Sequence, residues 1–473
     1  MVFLLAAIPY LWFPIDDDTG VYLMMAKSLL QGKHIYSDVL DNKGPLLYFA
    51  LAPAVLFAGT SIIKLRLLGF GILVLQGFLV YITMRRMGED KLALLAVAVF
   101  YFLSLNPMLE AYELKGEMFM GLLLTGALYL LLAKDRGESS AAVIGLCLAC
   151  GALMKPTFMI FLLPVLLFVP KTKKALVGLG LGLALGMLLL PLMVAAGFFS
   201  FGDYLQNTIL QPIDFAGRLG SSVKTPVPIL IAAVMIVSPY LGVFLLAGGY
   251  VAMGFHSMSP KMRIAGALFA TLLAVIMAGV WSVRGIYPAM LSLCIPLSSI
   301  LTAAIIRELA HGVPKNFILA AFASITFLAF TLGTLYCLAT AALYGPVPST
   351  NCEQTDLTIQ EQHSWMEFVE NNTASDEKIL AYPLSTAYYF SSREPITPAL
   401  WFDPIADNLS YYDAKKLESL LFGKIASERP RYIFIDPNGV TPEREDNETR
   451  NRMLEGYEFN GTIGRVQIYM RQQ

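Results

Sequence analysis

The chain is 473 residues long, 56% hydrophobic and only 15% charged, whereas soluble domains carry about 25% charged residues. That composition describes an integral membrane protein, and a net charge of −1 offers no basic field for nucleic acid. Five cysteines are too few for a disulfide framework. Cys147-x-x-Cys150 reads as two small residues of a membrane helix, because no second ligand pair accompanies it.

Met1 to Pro14 is apolar but shorter than the ~20 residues a span requires. It has neither the basic start nor the cleavage site of a signal peptide, and reads as a first span, extended by the next segment or truncated. A polar loop, residues 15–45, follows with Asp16, Asp17, Asp18, Asp38, Asp41 and Lys43. Gly44 to Gly59, interrupted by Pro45 and Pro53, reads as a helix lying at or dipping into the membrane face. Ile62 to Met84 is long enough to cross. Leu92–Leu105 pairs with Gly116–Ala133, and Ala141–Leu153 with Thr157–Val169 around a bend at Lys155-Pro156. Ala175 to Phe199 carries Gly178, Gly182 and Gly186 at four-residue spacing, a face for close helix packing. A polar loop from Gly202 to Lys224 precedes spans predicted at Pro226–Phe255, Ile264–Val280, Ile286–Ile306 and Phe317–Leu343.

Orientation follows from the basic residues. Arg85/Arg86/Lys91, Lys134/Arg136, Lys171/Lys173/Lys174, Lys261/Arg263 and Arg307/Lys315 fall in alternate short loops, which the positive-inside rule makes cytoplasmic. About eleven spans result, with the N-terminus inside and the C-terminus outside. The remaining unusual charges, among them Asp16 to Asp18, Asp41, Lys43, Glu110, Glu113, Glu117, Lys155, Arg218, Lys224 and Arg284, then share the outer face. A coupled transporter more often places such groups near the midplane. Residues 346–473 are polar and contain no span. Helical patterns at Leu357–Val369 and Tyr411–Ser427 alternate with strand-like KILAYP (378–383), RYIFID (431–436) and RVQIYM (465–470), which predicts a soluble α/β domain outside the membrane.

Asp18 opens an amphipathic segment and, in isolation, reads as a helix N-cap. Three consecutive acids, with Asp38 and Asp41 before Lys43, exceed what a cap needs. A carboxylate here can deprotonate an acceptor hydroxyl, and Asp17, Asp41 or Glu117 can assist or hold a divalent metal. Lys43, Lys155 and Arg284 each read singly as snorkelling cations. Three of them near an acidic cluster fit a site for a departing lipid phosphate. Glu113 and Glu117 are one helical turn apart in sequence and are expected on one face. Tyr22, Tyr36, Tyr48 and Trp281 read as interface aromatics.

Asp18-x-x-x-Tyr22, then Gly32, then YSDVLDNKGPLLYF (36–49) resembles the first outer loop of GT-C glycosyltransferases. The branch is the family 39-like one, with protein O-mannosyltransferases and the aminoarabinose transferases of lipid A. There an acid at this loop position is the proposed base, a role the resemblance carries to Asp18. The aminoarabinose members have Asp-Glu where this chain has Asp18-Thr19. Lys43-Gly44-Pro45 is similar to the family's Lys-x-Pro element, and Glu117 in KGEMF to the acid opening the fourth span. Lys155-Pro156 is similar to its Lys-Pro or Lys-Gln bend. RGIYP around Arg284 is similar to a late outer loop, although Ala289-Met290 replaces the usual His-Tyr.

The resemblance implies a GT-C membrane domain over residues 1–345. It also implies inverting transfer of a sugar from a polyprenyl-phosphate donor to an acceptor outside the membrane. The scarcity of cysteines and the branch that the loop resembles lean towards a bacterial inner membrane, with residues 346–473 in the periplasm. Two rivals remain at this stage: a polyprenyl-lipid or glycolipid transporter or flippase, and a non-catalytic membrane subunit in which the acids are only caps.

Overall fold

The computed structural model describes residues 7–105, 111–133, 137–213, 247, 251, 258–283, 292–310, 359–382, 384–398, 414–437 and 447–472. A 3-10 turn, Ile8–Trp12, leads into α1 (Asp17–Leu30), α2 (Pro45–Ala58), α3 (Ile62–Met87), α4 (Asp90–Ser104) and α5 (Gly116–Leu131). After α6 (Glu138–Met154), a 3-10 stretch at Pro156–Phe161 continues into α7 (Leu162–Phe168). Next come α8 (Lys173–Met187), α9 (Leu189–Ala195), α10 (Phe201–Tyr204), α11 (Pro260–Val283) and α12 (Ile295–Ala310).

Among the described residues, two helical stretches are long and apolar enough to cross a membrane: α3, 26 residues, and Lys173–Ala195, 23 residues. At 1.5 Å per residue they reach roughly 39 and 34 Å, more than the ~30 Å hydrocarbon thickness. The spans expected at Leu92–Leu105, Gly116–Ala133 and Ala141–Leu153 form the shorter helices α4, α5 and α6, of 15, 16 and 17 residues. Those expected at Pro226–Phe255 and Phe317–Leu343 lie outside the described residues. The glycine face of α8 packs as its spacing predicts. A Cβ on Gly178 would run into the Glu138 carbonyl and one on Gly182 into that of Ala142, both on α6. The polar loop expected from Gly202 is instead helical as far as Ile213, with a π-helical turn at Leu205–Leu210. That turn binds the first loop: Asn207 Nδ2 donates to the Tyr36 carbonyl at 3.3 Å and Thr208 Oγ1 to that of Lys43 at 3.4 Å.

In the C-terminal part, α13 (Ile359–Asn372), β1 (Lys378–Tyr382), α14 (Ser385–Ser391) and β2 (Glu394–Pro395) come first. Then follow α15 (Ala414–Glu428), β3 (Tyr432–Ile435), α16 (Asn447–Met453), β4 (Tyr457–Ile463) and β5 (Val466–Arg471). The sheet order is β2-β1-β3-β5-β4. β2, β1 and β3 run parallel, and β5 and β4 are antiparallel additions. β1 and β3 are almost wholly buried, which is why their sequences are continuous apolar runs. Trp365 of α13 covers β3, its ring 5.1 Å from that of Phe434. Helix α14 follows β1 directly and meets the first loop.

Candidate active site

Three consecutive acids open α1, and their surroundings differ. Asp16, not Asp18, is the N-cap: its Oδ1 accepts from the Thr19 amide at 2.8 Å. Its other oxygen pairs with Lys115 Nζ, in the segment leading into α5. Asp17 Oδ1 accepts from both the amide and the hydroxyl of Thr386, at 3.2 and 3.1 Å. Asp18 has its nearest cation, Lys115 Nζ, at 3.8 Å.

Exposure separates the three. The Asp18 side chain is 33% exposed, whereas Asp16 and Asp17 retain 4% and 7%. Desolvation by the surrounding protein raises the Asp18 carboxyl above the ordinary aspartate value, and Lys115 is the strongest influence pulling it back. Asp16 and Asp41 push it up, and Lys43 pulls it down. Burial raises Asp17 to about 7 against the opposing pull of the Thr386 bonds.

A buried ion pair fixes the approach to this turn. Arg66 of α3 binds Glu113 with Nη1–Oε1 at 2.6 Å, and its guanidinium reaches the carbonyls of Phe13 and Pro14. Glu113 Oε2 also accepts from Thr19 Oγ1 at 3.3 Å. Glu113 precedes α5 and faces Arg66, so it does not share a helix face with Glu117 as the spacing suggested.

The cations converge through one backbone contact. Gly44 N donates to the Met154 carbonyl at 2.9 Å, and a Cβ on Gly44 would collide with the Leu153 carbonyl. Glycine is therefore required between Lys43 and Pro45 for close approach. The contact sets Lys43 beside Lys155, the C-cap of α6. Lys155 Nζ lies 3.0 Å from Glu117 Oε1, and Lys43 Nζ sits 5.4 Å over the Tyr22 ring and bonds to Asn42. The Lys43 carbonyl accepts from Tyr36 OH at 2.7 Å and Tyr48 OH at 3.2 Å. Tyr48 OH also donates to Asp41 Oδ2 at 2.8 Å. Tyr22, Tyr36 and Tyr48 are thus buried parts of the site, not interface aromatics.

No family model matches the sequence, and no curated protein does either. Solved structures do. ArnT from Cupriavidus metallidurans bound to undecaprenyl phosphate superposes with a TM-score of 0.59 at 13% identity, covering 99% of this chain and 97% of that one. The apo state of the same protein gives 0.56 at 12% identity with the same coverage. The chain has the GT-C fold. That fold is a polytopic helical membrane one, and the two long apolar stretches of this chain agree with it.

On this GT-C scaffold, Asp18, Asp17, Asp41, Lys43, Glu117 and Lys155 gather around the start of α1 and the Gly44 contact with the end of α6. Asp38 stays on the surface, capping a local turn through the His34 amide. Arg284, Glu110, Arg218 and Lys224 lie outside the described residues. Among the described residues no three His, Cys, Asp or Glu side chains converge to hold a metal ion. Asp16, Asp17, Asp41 and Glu117 are each engaged by a protein donor or cation through at least one carboxylate oxygen. Sequence reasoning passed over Arg66, Lys115, Ser385 and Thr386. Arg66 had a readable signal, a charge inside an apolar run.

Proposed function

We propose that this protein is an inverting glycosyltransferase that moves a sugar from a polyprenyl-phosphate donor to an acceptor outside the membrane. The observation that carries the reading is the contrast within the acid cluster. Asp18 is the acid of the three left partly open, with Lys115 beside it and Lys43 and Lys155 in the surrounding cluster. Support also comes from the fold, which ArnT bound to undecaprenyl phosphate shares.

In the proposed reaction the acceptor hydroxyl gives its proton to Asp18 as its oxygen bonds to the sugar's anomeric carbon. The bond from that carbon to the phosphate oxygen breaks on the opposite face, which inverts the centre. The electron pair leaves with the polyprenyl phosphate, whose growing charge meets Lys43, Lys155 and Arg284. The raised Asp18 carboxyl suits a base, since desolvation by the surrounding protein increases its affinity for a proton. Asp41 assists through Tyr48, and Glu117 orients Lys155. The polyprenyl chain lies in the apolar groove between α2 and the bundle. Within this proposal residues 1–345 form the membrane domain of about eleven spans. Residues 346–473 form a periplasmic α/β domain on a bacterial inner membrane, and the acceptor enters beside it.

The test is sugar release and transfer from radiolabelled polyprenyl-phosphate sugars by protein in nanodiscs, comparing wild type with Asp18→Asn. Loss of a catalytic base predicts a fall of about 10²–10⁴ in turnover in a normally folded variant. Equal turnover by both removes Asp18 from the chemistry. No turnover with any donor, even with crude acceptor extract added, overturns the reading in favour of transport or a structural subunit.

A further inference from the structure

The C-terminal α/β part grips the start of α1 through directed bonds. Thr386 donates twice to Asp17 Oδ1, and Ser385 Oγ donates to the Asp17 carbonyl at 3.0 Å. One turn along, Gly20 lies flat against the same residue: an added Cβ would come within 2.7 Å of Thr386 Cγ2 and 2.8 Å of its Cα. Just upstream, Gln362 of α13 donates from Nε2 to the Ile15 carbonyl at 2.8 Å and accepts from the Ile15 amide at 3.4 Å. Tyr389 OH, also on α14, donates to the Gly59 carbonyl at 2.6 Å, at the end of α2.

Simple adhesion between two parts of a protein does not need a buried carboxylate. Apolar residues of similar volume fill such a contact at lower cost, because an ionisable group taken from water must recover its lost hydration. What a two-donor contact to one carboxylate oxygen supplies is direction. Successive residues of an α-helix are rotated by about 100°. Fixing the azimuth of Asp17 therefore fixes that of Asp18, and the missing side chain of Gly20 lets the turn lie directly against α14.

We propose that Thr386, assisted by Ser385, is a positioning residue for Asp18, locking the first turn of α1 so that the Asp18 carboxylate faces the open side of the cluster. This rests on Asp18 being the base of a sugar transfer. The C-terminal part is then a component of the catalytic centre, joined to it by a bond between residues 369 positions apart.

The experiment compares Thr386→Val, which keeps the branched shape and loses the hydroxyl, with Thr386→Ser, which keeps the hydroxyl. Both are assayed in nanodiscs for kcat and donor KM, and by hydrogen–deuterium exchange of peptides covering residues 15–22. A positioning role predicts that T386V lowers kcat about tenfold with donor KM within about twofold, speeds exchange in that segment, and is rescued by T386S. Equal impairment of the two variants makes the contact one of packing and overturns the proposal. So does a T386V protein with unchanged kcat and unchanged exchange. If wild type transfers no sugar, the functional reading fails by itself, and exchange still decides whether Thr386 holds α1. If T386V does not fold, Ser385→Ala removes one bond of the same grip and is read identically.

Discussion

Lys115 is the residue whose removal discriminates most sharply, because it touches two of the three acids at once. Lys115→Met keeps the length of the side chain and deletes the charge. At 3.8 Å, a unit charge acting on Asp18 is worth about 4 kcal/mol at an effective dielectric constant near 20. One third of the Asp18 side chain is exposed, so solvent reduces this to about 1–2 kcal/mol, or about one pH unit. The sign follows from the role. A base works ionised, and loss of a nearby cation raises its pKa, so the acid limb of the pH–kcat profile moves up by about one unit. The plateau at higher pH persists, because a more basic carboxylate accepts the proton at least as well. The same variant strands Asp16 at 4% exposure without its cation, which destabilises the fold by about 3–5 kcal/mol. Adding Asp16→Asn separates the two effects, since Asn still caps α1 and needs no counter-charge. The double variant regains thermal stability. Its acid limb falls between those of wild type and the single variant, because the Asp16 charge had itself pushed Asp18 up. Profiles of sugar transfer in nanodiscs, with melting curves on the same preparations, read both quantities. An acid limb that stays in place in the single variant, with activity intact, refutes the electrostatic coupling of Lys115 to the base.

Asp17 and Lys155 give two more tests. Burial holds the Asp17 carboxyl near 7, against 3.8 for the ordinary group, so the folded state keeps its proton longer than the unfolded chain does. The stability this confers is full below about pH 4 and is lost as pH rises to about 7, a change of about 4 kcal/mol. Asp17→Asn keeps the Oδ1 acceptor and cannot ionise. Its melting temperature should therefore pull further ahead of wild type from pH 5 to pH 8, and parallel curves would contradict this. On the proposed mechanism, Lys155→Met removes one charge-assisted bond to the donor phosphate. Donor KM should rise about tenfold or more with Glu117 left in place, and an unchanged KM assigns Lys155 to its pair with Glu117 alone.

The membrane part was legible wherever one physical signal dominated. Long apolar runs gave α3 and Lys173–Ala195, and the spacing of Gly178, Gly182 and Gly186 gave the packing of α8 on α6. Strands β1, β3 and β5 were readable because continuous or alternating apolar residues need cover. Four elements of the C-terminal part escaped. β2 is two residues long, β4 is mostly exposed and broken by a bulge between Phe459 and Gly461, and α14 and α16, at seven residues each, are too short to display a helical period. In the site, the acidic loop and Lys43-Gly44-Pro45 stood out, although the reason for Gly44 is a backbone contact with α6 that no local pattern contains. The Tyr36 conformation, with φ of +71°, was equally hidden. That unfavourable region is held by its bond to the Lys43 carbonyl and by rings from Tyr48, Phe199 and Tyr204.

Asp16, Asp17 and Asp18 show why spacing alone does not separate the surroundings of neighbouring acids. In sequence they are equivalent, and any one of them could open a helix. Rotation by about 100° per residue sends them in three directions, and a different part of the protein waits in each. Asp16 meets Lys115, Asp17 meets Thr386 of the C-terminal sheet region, and Asp18 meets solvent, with Lys115 and Lys43 on one side of its balance and Asp16 and Asp41 on the other. Burying two carboxylates to display a third is costly for a helix start, which one cap would satisfy. It is reasonable where the orientation of the third matters. The two buried acids then serve the exposed one, and their substitutions should alter the pH response and orientation of Asp18 without supplying a substitute base.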